Sequence, residues 1–251
     1  MTITHIQIFK KRKSLFETRP STKLSQIGWG KSELRLMGYY LGYKNGADAL
    51  VEKILNDDSS KSYDTLIYPV LFLYRHYLEL VLKYIYIVFS NESTENKIKF
   101  IKAVSHDINK VWQQKVKQIL KNNEVCDVDI DVAENYINEF SLKDENSFYF
   151  RYPFDKHLNM VINHEQWIDI ENFKDIMDEI YLFFETCINT LHAEKDIENE
   201  FLILEHELDK MLDNEMNLIE YERQQEYNQI MAEQHKDILK EYEKCFGIML
   251  E

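Results

Sequence analysis

Between Gly46 and Gly247 the chain has no glycine, and it holds only six glycines and three prolines in 251 residues. β-Sandwiches and α/β folds use those two residues to turn the chain, so their scarcity argues against both classes and makes helix the expected state. Cys126, Cys187 and Cys245 stand far apart with no CxxC pair. That spacing removes a disulfide framework and a zinc knuckle and fits a reducing cytoplasm. No GxGxxG, GxxxxGK[ST] or GxSxG run occurs, which leaves no glycine cradle for a nucleotide and no nucleophile elbow. His157, His164 and Glu165 lie close in sequence but read as surface groups, and neither a metal nor a cofactor is expected. The basic run KKRK at 10–13 is not followed by an apolar stretch, so no secretory signal is expected. No uncharged apolar run reaches the roughly 20 residues of a membrane helix.

What is present is a hydrophobic content of 45%, ample for one large domain or a domain with an appendage. The net charge of −14 is unevenly spread. Residues 194–251 hold 17 acids against 6 bases, and residues 1–24 hold 6 bases against 1 acid. The acidic end disfavours nonspecific duplex binding, because phosphate affinity comes mainly from Lys and Arg, while leaving room for a small local RNA site.

Residues 1–30 lack periodicity and form an irregular lead-in. Leu34, Met37, Leu41, Ala47, Leu50, Val51, Ile54 and Leu55 are spaced as one helix face, with Ser32 as its N-cap. Gly38, Gly42 and Gly46 recur every four residues within it. Each costs about 1 kcal/mol against Ala, and the stripe serves either close approach of a second helix or a backbone surface for a ligand. A second helix runs from about Thr65 to Phe89, with Pro69 in its first turn. A short helix near 97–104 follows, then one capped by Ser105 with Ile108, Val111, Trp112, Val116, Ile119 and Leu120 as its buried face. The run DVDIDVAENYINEF predicts a fifth helix. SFYFRYP at 147–153 alternates with a period of two, predicting a small β-hairpin or extended lobe. Asp169 then caps a helix containing Phe173, Met177, Ile180 and Phe184. Beyond it, Ile197, Phe201, Leu204, Leu208 and Met211 follow four-three spacing. This predicts a long helical arm, straight or hairpinned, that dimerises or folds back on the core.

The second helix carries Arg75, Glu79 and Lys83 at i, i+4 spacing, with His76 at the edge of that face, among residues otherwise apolar. Glu79 can pair with both neighbours. Such a row, if partly buried, needs further hydrogen-bonding partners, and His106 and Asp107 are natural candidates. It reads either as a structural ion cluster or as part of a site for a charged ligand. One form of the latter is a sensor of a small anion through Arg75 and Lys83.

FLYRHYLELVLK, SHDINKVW and FRYPFDK occur in this order. The set resembles HEPN-like helical domains: an ELxLK-type helix, an HD opening the next helix, and a later RYP. The resemblance spans about residues 31–193. It implies a mainly α helical bundle that dimerises, with the β-hairpin as an insertion and residues 194–251 as an acidic arm. It also implies metal-independent ribonuclease chemistry of the toxin–antitoxin and antiphage kind. Its Arg-then-His motif falls on Arg151 and His157, with five residues between. Arg would steady the phosphate and His exchange a proton with a ribose hydroxyl, with Arg75, His76, Glu79, Lys83, His106 and Asp107 organising the site or binding phosphate. The alternative is a noncatalytic module of a larger complex, its acidic arm holding a basic protein partner.

Overall fold

The structure, a computed structural model, describes residues 23–57, 60–123, 127–144 and 147–246. It is mainly helical. The helices are α1 (Ser32–Leu55), α2 (Ser60–Phe89), α3 (Thr94–Val104), α4 (Ile108–Val111), α5 (Lys117–Asn122), α6 (Asp127–Lys143) and α7 (Ile170–Phe246), with a π-helical turn at Trp112–Val116 between α4 and α5. Among the described residues no helix is long and apolar enough to cross a membrane.

α2 is the central element. Val70, Leu71, Tyr74, Tyr77, Leu78, Val81, Leu82, Ile85 and Tyr86 are buried on several sides of it, as expected for a helix apolar nearly all round. Each fully buried Leu, Ile or Val there contributes about 1.5–3 kcal/mol of transfer free energy. The helix begins at Ser60, five residues before the predicted start, so Pro69 lies inside it and not in its first turn. Pro69 has no N–H to donate, and α2 passes through it with one bond fewer.

α1 packs along α2 through Tyr40, Ala47, Val51 and Ile54, while Leu34 and Leu55, expected in this face, are about half exposed. Lys31 occupies the N-cap position and Ser32 is already helical, so no side chain caps this end. The glycine stripe has no single use. A Cβ at Gly38 would lie 3.1 Å from the Trp29 ring and one at Gly46 3.8 Å from Leu73 of α2, whereas at Gly42 nothing comes within 4 Å. A partly buried ion cluster ties α1 to the start of α7. Lys44 meets Asp48 at 2.7 Å and Asp178 at 3.3 Å, Lys174 bonds Asp178, and the Tyr74 hydroxyl donates to Asp48 at 2.6 Å.

Ser93 caps α3 by accepting from the Asn96 N–H. Ser105 does not cap the next helix. It takes up φ 51° and turns the chain, and Asp107 caps α4 by accepting from Lys110 N–H at 2.9 Å. Ile108, Val111, Trp112, Val116 and Leu120 are buried as their spacing predicts. α6 lies against α4 and α5, held by Asn109–Asn138 at 2.6 Å and by Lys117 on Glu134.

The described residues between α6 and Asp169 are irregular, and the Asp169 carboxylate caps α7 through Asn172 N–H. Among the described residues the predicted hairpin forms no strands, only an isolated antiparallel bridge between Phe154 and Met160. Pro153 cannot donate to a ladder. Asp155 Oδ1 accepts the N–H groups of His157 and Asn159, so a tight turn replaces pairing beyond the bridge.

The chain divides into two compact units, Met1–Phe184 and Glu185–Glu251. In the first, Met177, Ile180 and Phe184 form the buried face of α7. In the second, Cys187, Ile188 and Leu191 are buried, and Ile197, Phe201, Leu204, Leu208 and Met211 are exposed on helix. Cys126 lies outside the described residues, as does the side chain of Cys245.

Candidate functional site

The polar row of α2 is enclosed. Arg75 is 0% exposed, and the turn after α3 explains how its fork is satisfied. Ser105, in left-handed conformation, and His106 present consecutive carbonyls to α2. Lys83 donates to Ser105 O at 2.5 Å and Arg75 Nη2 to His106 O at 2.6 Å. Arg75 Nε and Nη2 also reach the carbonyl of Asp144 at the end of α6, each at 3.3 Å, and Nη1 reaches Glu79 at 3.4 Å. Glu79 accepts from Lys83 at 2.7 Å and lies 2.9 Å from His106 Nδ1. Asp107 contributes charge near Arg75 and caps α4.

Burial lowers the Arg75 pKa, opposed by Glu79 and Asp144, and the guanidinium remains charged. Burial alone would raise the Glu79 carboxyl, but Lys83 and His106 outweigh it and hold it below its ordinary value. Chemically this row is a clasp: it joins α2, the α3–α4 turn and the end of α6, and Arg75 offers no exposed donor to a ligand. Of its members only the His106 side chain, 45% exposed, is substantially open to solvent.

Asp144 carries the clasp to the following loop. Its Oδ1 accepts the N–H groups of Phe148 at 2.6 Å and Tyr149 at 2.8 Å. Two residues further on is Arg151, its Nε donating to Ser147 O at 2.7 Å and its guanidinium lying 5.8 Å from the Phe72 ring centroid and 5.6 Å from that of Tyr152. Phe72 in turn stacks on His76, centroids 5.7 Å apart and planes 13° from parallel, and Tyr43 meets His76 edge-on at 4.3 Å. Burial lowers the His76 pKa; Glu79 opposes the shift, and Arg151, Arg75 and His106 add to it. The imidazole is therefore neutral near pH 7, the form that accepts a proton.

Arg151 and His157 are not brought together by any hydrogen bond, ion pair or ring contact among the described residues. His157 sits exposed in the turn after Phe154, its backbone N–H held by Asp155, whereas Arg151 precedes the bridge and lies over Phe72. The histidine in a contact chain with Arg151 is His76, through Phe72. Sequence spacing does not show this, because it depends on how the loop after α6 folds back on α2.

The same loop and the first half of α2 bound an open cleft of about 1030 Å³. Tyr63 and Tyr68 line it from α2, and Arg151, Tyr152 and Trp167 from the loop. Trp167 is 91% exposed and Tyr68 50%. Its polar groups include Asp64, Glu165 and Gln166, the last donating to the Tyr149 hydroxyl at 2.8 Å. The alternating aromatics of SFYFRYP are the sequence signal for this wall; Asp144, inside a polar connector, gives none. Among the described residues no group of three or more His, Cys, Asp and Glu side chains is placed to hold a metal ion. Searches of protein-family models, of curated proteins and of solved structures find no match to this chain.

Proposed function

We propose that this chain is a cytoplasmic RNA-directed effector of a bacterial toxin–antitoxin or antiphage defence system, a HEPN-like helical module that cleaves RNA as a homodimer without metal. The observation that supports this reading is the contact chain Arg151–Phe72–His76, with a cation at one end and a neutral, partly buried imidazole at the other. Arg151 steadies the scissile phosphate. His76 takes the proton of the ribose 2′-hydroxyl, whose oxygen attacks phosphorus; a cyclic phosphate forms and the 5′-oxygen leaves, taking a proton from solvent or a second acid. The Arg75–Glu79–His106 clasp keeps the two elements that carry these groups in register.

A second reading, a noncatalytic subunit that binds a basic protein partner, is favoured by two other observations. Arg75 and Glu79 of the clasp are sealed from solvent, and the strongly acidic C-terminal residues display exposed Ile197, Phe201, Leu204 and Leu208.

The experiment is inducible expression of the wild type beside Arg151→Ala, His76→Ala and His157→Ala, scoring growth and RNA integrity. Loss of RNA cleavage with Arg151→Ala and His76→Ala, and its retention with His157→Ala, is the expected result. Loss with His157→Ala alone would move the proton-transfer role to that residue. Intact RNA in every strain, wild type included, would leave the noncatalytic reading.

A further inference from the structure

We infer that the cleft between the first half of α2 and the loop at 149–168 takes one unpaired nucleotide of single-stranded RNA, its base among Tyr63, Tyr68, Tyr152 and Trp167 and its phosphate on Arg151. The inference rests on the RNA-directed reading above and names the form of RNA that reading leaves open.

Three observations carry it. The first is exposure: an indole left 91% exposed and a tyrosine half exposed on the rim of one cleft forgo burial that this aromatic-rich core provides elsewhere. Flat apolar faces displayed in this way serve stacking on a flat partner. The second is charge. Among the described residues Arg151 is the one arginine or lysine lining the cleft, against the carboxylates of Asp64 and Glu165. A site that tracked a duplex or a long backbone would need several cations; one cation suits one phosphate. The carboxylates suit the base edge, where exocyclic amino and ring imino groups donate. The third is placement. Arg151 rests on the Phe72 and Tyr152 rings at once. It thus stands between the aromatic cleft and the stack containing His76, where the phosphate next to a seated base would fall.

Stacking is sequence-tolerant, because every base has a π-face. A base locked in a duplex cannot enter, so the cleft selects unpaired RNA, such as loops, bulges and ends. Gln166, pinned on the Tyr149 hydroxyl, and the two acids then give any preference among bases through their hydrogen bonds.

The test uses the full chain and a fluorescein-labelled single-stranded RNA octamer of mixed sequence, read by anisotropy and by tryptophan emission. The octamer is expected to bind and to quench emission, and the quench is expected to disappear in Trp167→Phe, which keeps a ring for stacking. Trp167→Ala and Tyr152→Ala are each expected to weaken binding about five- to hundredfold. Log affinity should fall against log salt with a slope of about −0.7, the value for one phosphate on a single strand. A blunt duplex of the same sequence should not compete. Unchanged octamer affinity in both alanine variants, with loss in Arg151→Ala, would overturn the base site and leave the RNA reading standing. Absence of binding by the wild type would overturn both. Quenching of Trp167 by a proline-rich decapeptide and not by RNA would overturn the nucleotide in favour of a peptide ligand. All three substituted residues are exposed, and matched thermal melts identify any variant whose loss is a loss of fold.

Discussion

The Nη2 of Arg75 donates to the carbonyl oxygen of His106 at 2.6 Å, so a charge in the middle of a greasy helix is satisfied largely by backbone from two other elements. Removing one side of such an arrangement leaves buried groups without partners. Arg75→Ala should therefore cost about 3–5 kcal/mol of unfolding free energy in urea. Arg75→Lys should recover little of it, because an ammonium lacks the planar fork that spans the His106 and Asp144 carbonyls. A loss below 1 kcal/mol would mean that the clasp does not hold the fold.

Stability should fall as pH drops from 7 to 4, through two groups of the same sign. Both His76 and Glu79 have folded pKa values below their ordinary 6.5 and 4.5. Each contributes stability that is complete above the ordinary value and lost as pH falls through the folded one. His76→Phe, which keeps ring contacts with Tyr43 and Phe72, should remove the part of the decline that begins at pH 6.5. Glu79→Gln should remove its own share of the part that begins near pH 4.5, beside those of Glu92 and Glu134, at lower overall stability. Urea unfolding across that pH range checks both, and identical profiles for the wild type and His76→Phe would sink the first.

Gly42 offers a stabilising change. It lies inside α1 with open space where a Cβ would be, so Gly42→Ala should raise stability by about 0.5–1 kcal/mol. Gly38→Ala should lower it or displace Trp29, whose ring would be 3.1 Å from the new carbon. Thermal melts of the pair check the contrast; a cost at Gly42 would instead reveal a surface that something covers.

The proposed homodimer should be salt-dependent. Residues 194–251 carry 17 acids against 6 bases, so two copies meeting through Leu204 and Leu208 repel each other, and screening relieves this at high ionic strength. Sedimentation should show a dimer that tightens from 50 to 500 mM salt and is lost in Leu204→Glu/Leu208→Glu. A dimer that weakens with salt would contradict like-charge pairing of this segment.

The helices were legible because each carries its own periodicity: the buried faces around Val111, Trp112 and Val116, and around Met177 and Phe184, follow directly from spacing. The enclosure of Arg75, Glu79 and Lys83 beside residue 106 was legible as well, since a charged row on an apolar helix must find partners. Their kind was not. Sequence suggests side chains, but the main partners of Arg75 are the carbonyls of His106 and Asp144, groups that every residue has. Lys44 gave no signal in the sequence, because its partner Asp178 is 134 residues away. The seat of Arg151 on Phe72 was not legible for a related reason: it depends on how the loop after α6 folds back on α2, and His157 lies in the turn held by Asp155.

The bonds that define the cleft and its supports close long loops: Arg75 reaches 31 residues ahead to His106 and 69 to Asp144, and Lys44 reaches 134 ahead to Asp178. During synthesis from the N-terminus, Lys44 and Arg75 are made before any of these partners. The lining of the cleft runs from Tyr63 to Ile170, so its walls can come together only once Ile170 has been made. Whatever chemistry the cleft performs is thus withheld from the nascent chain until that residue has been translated.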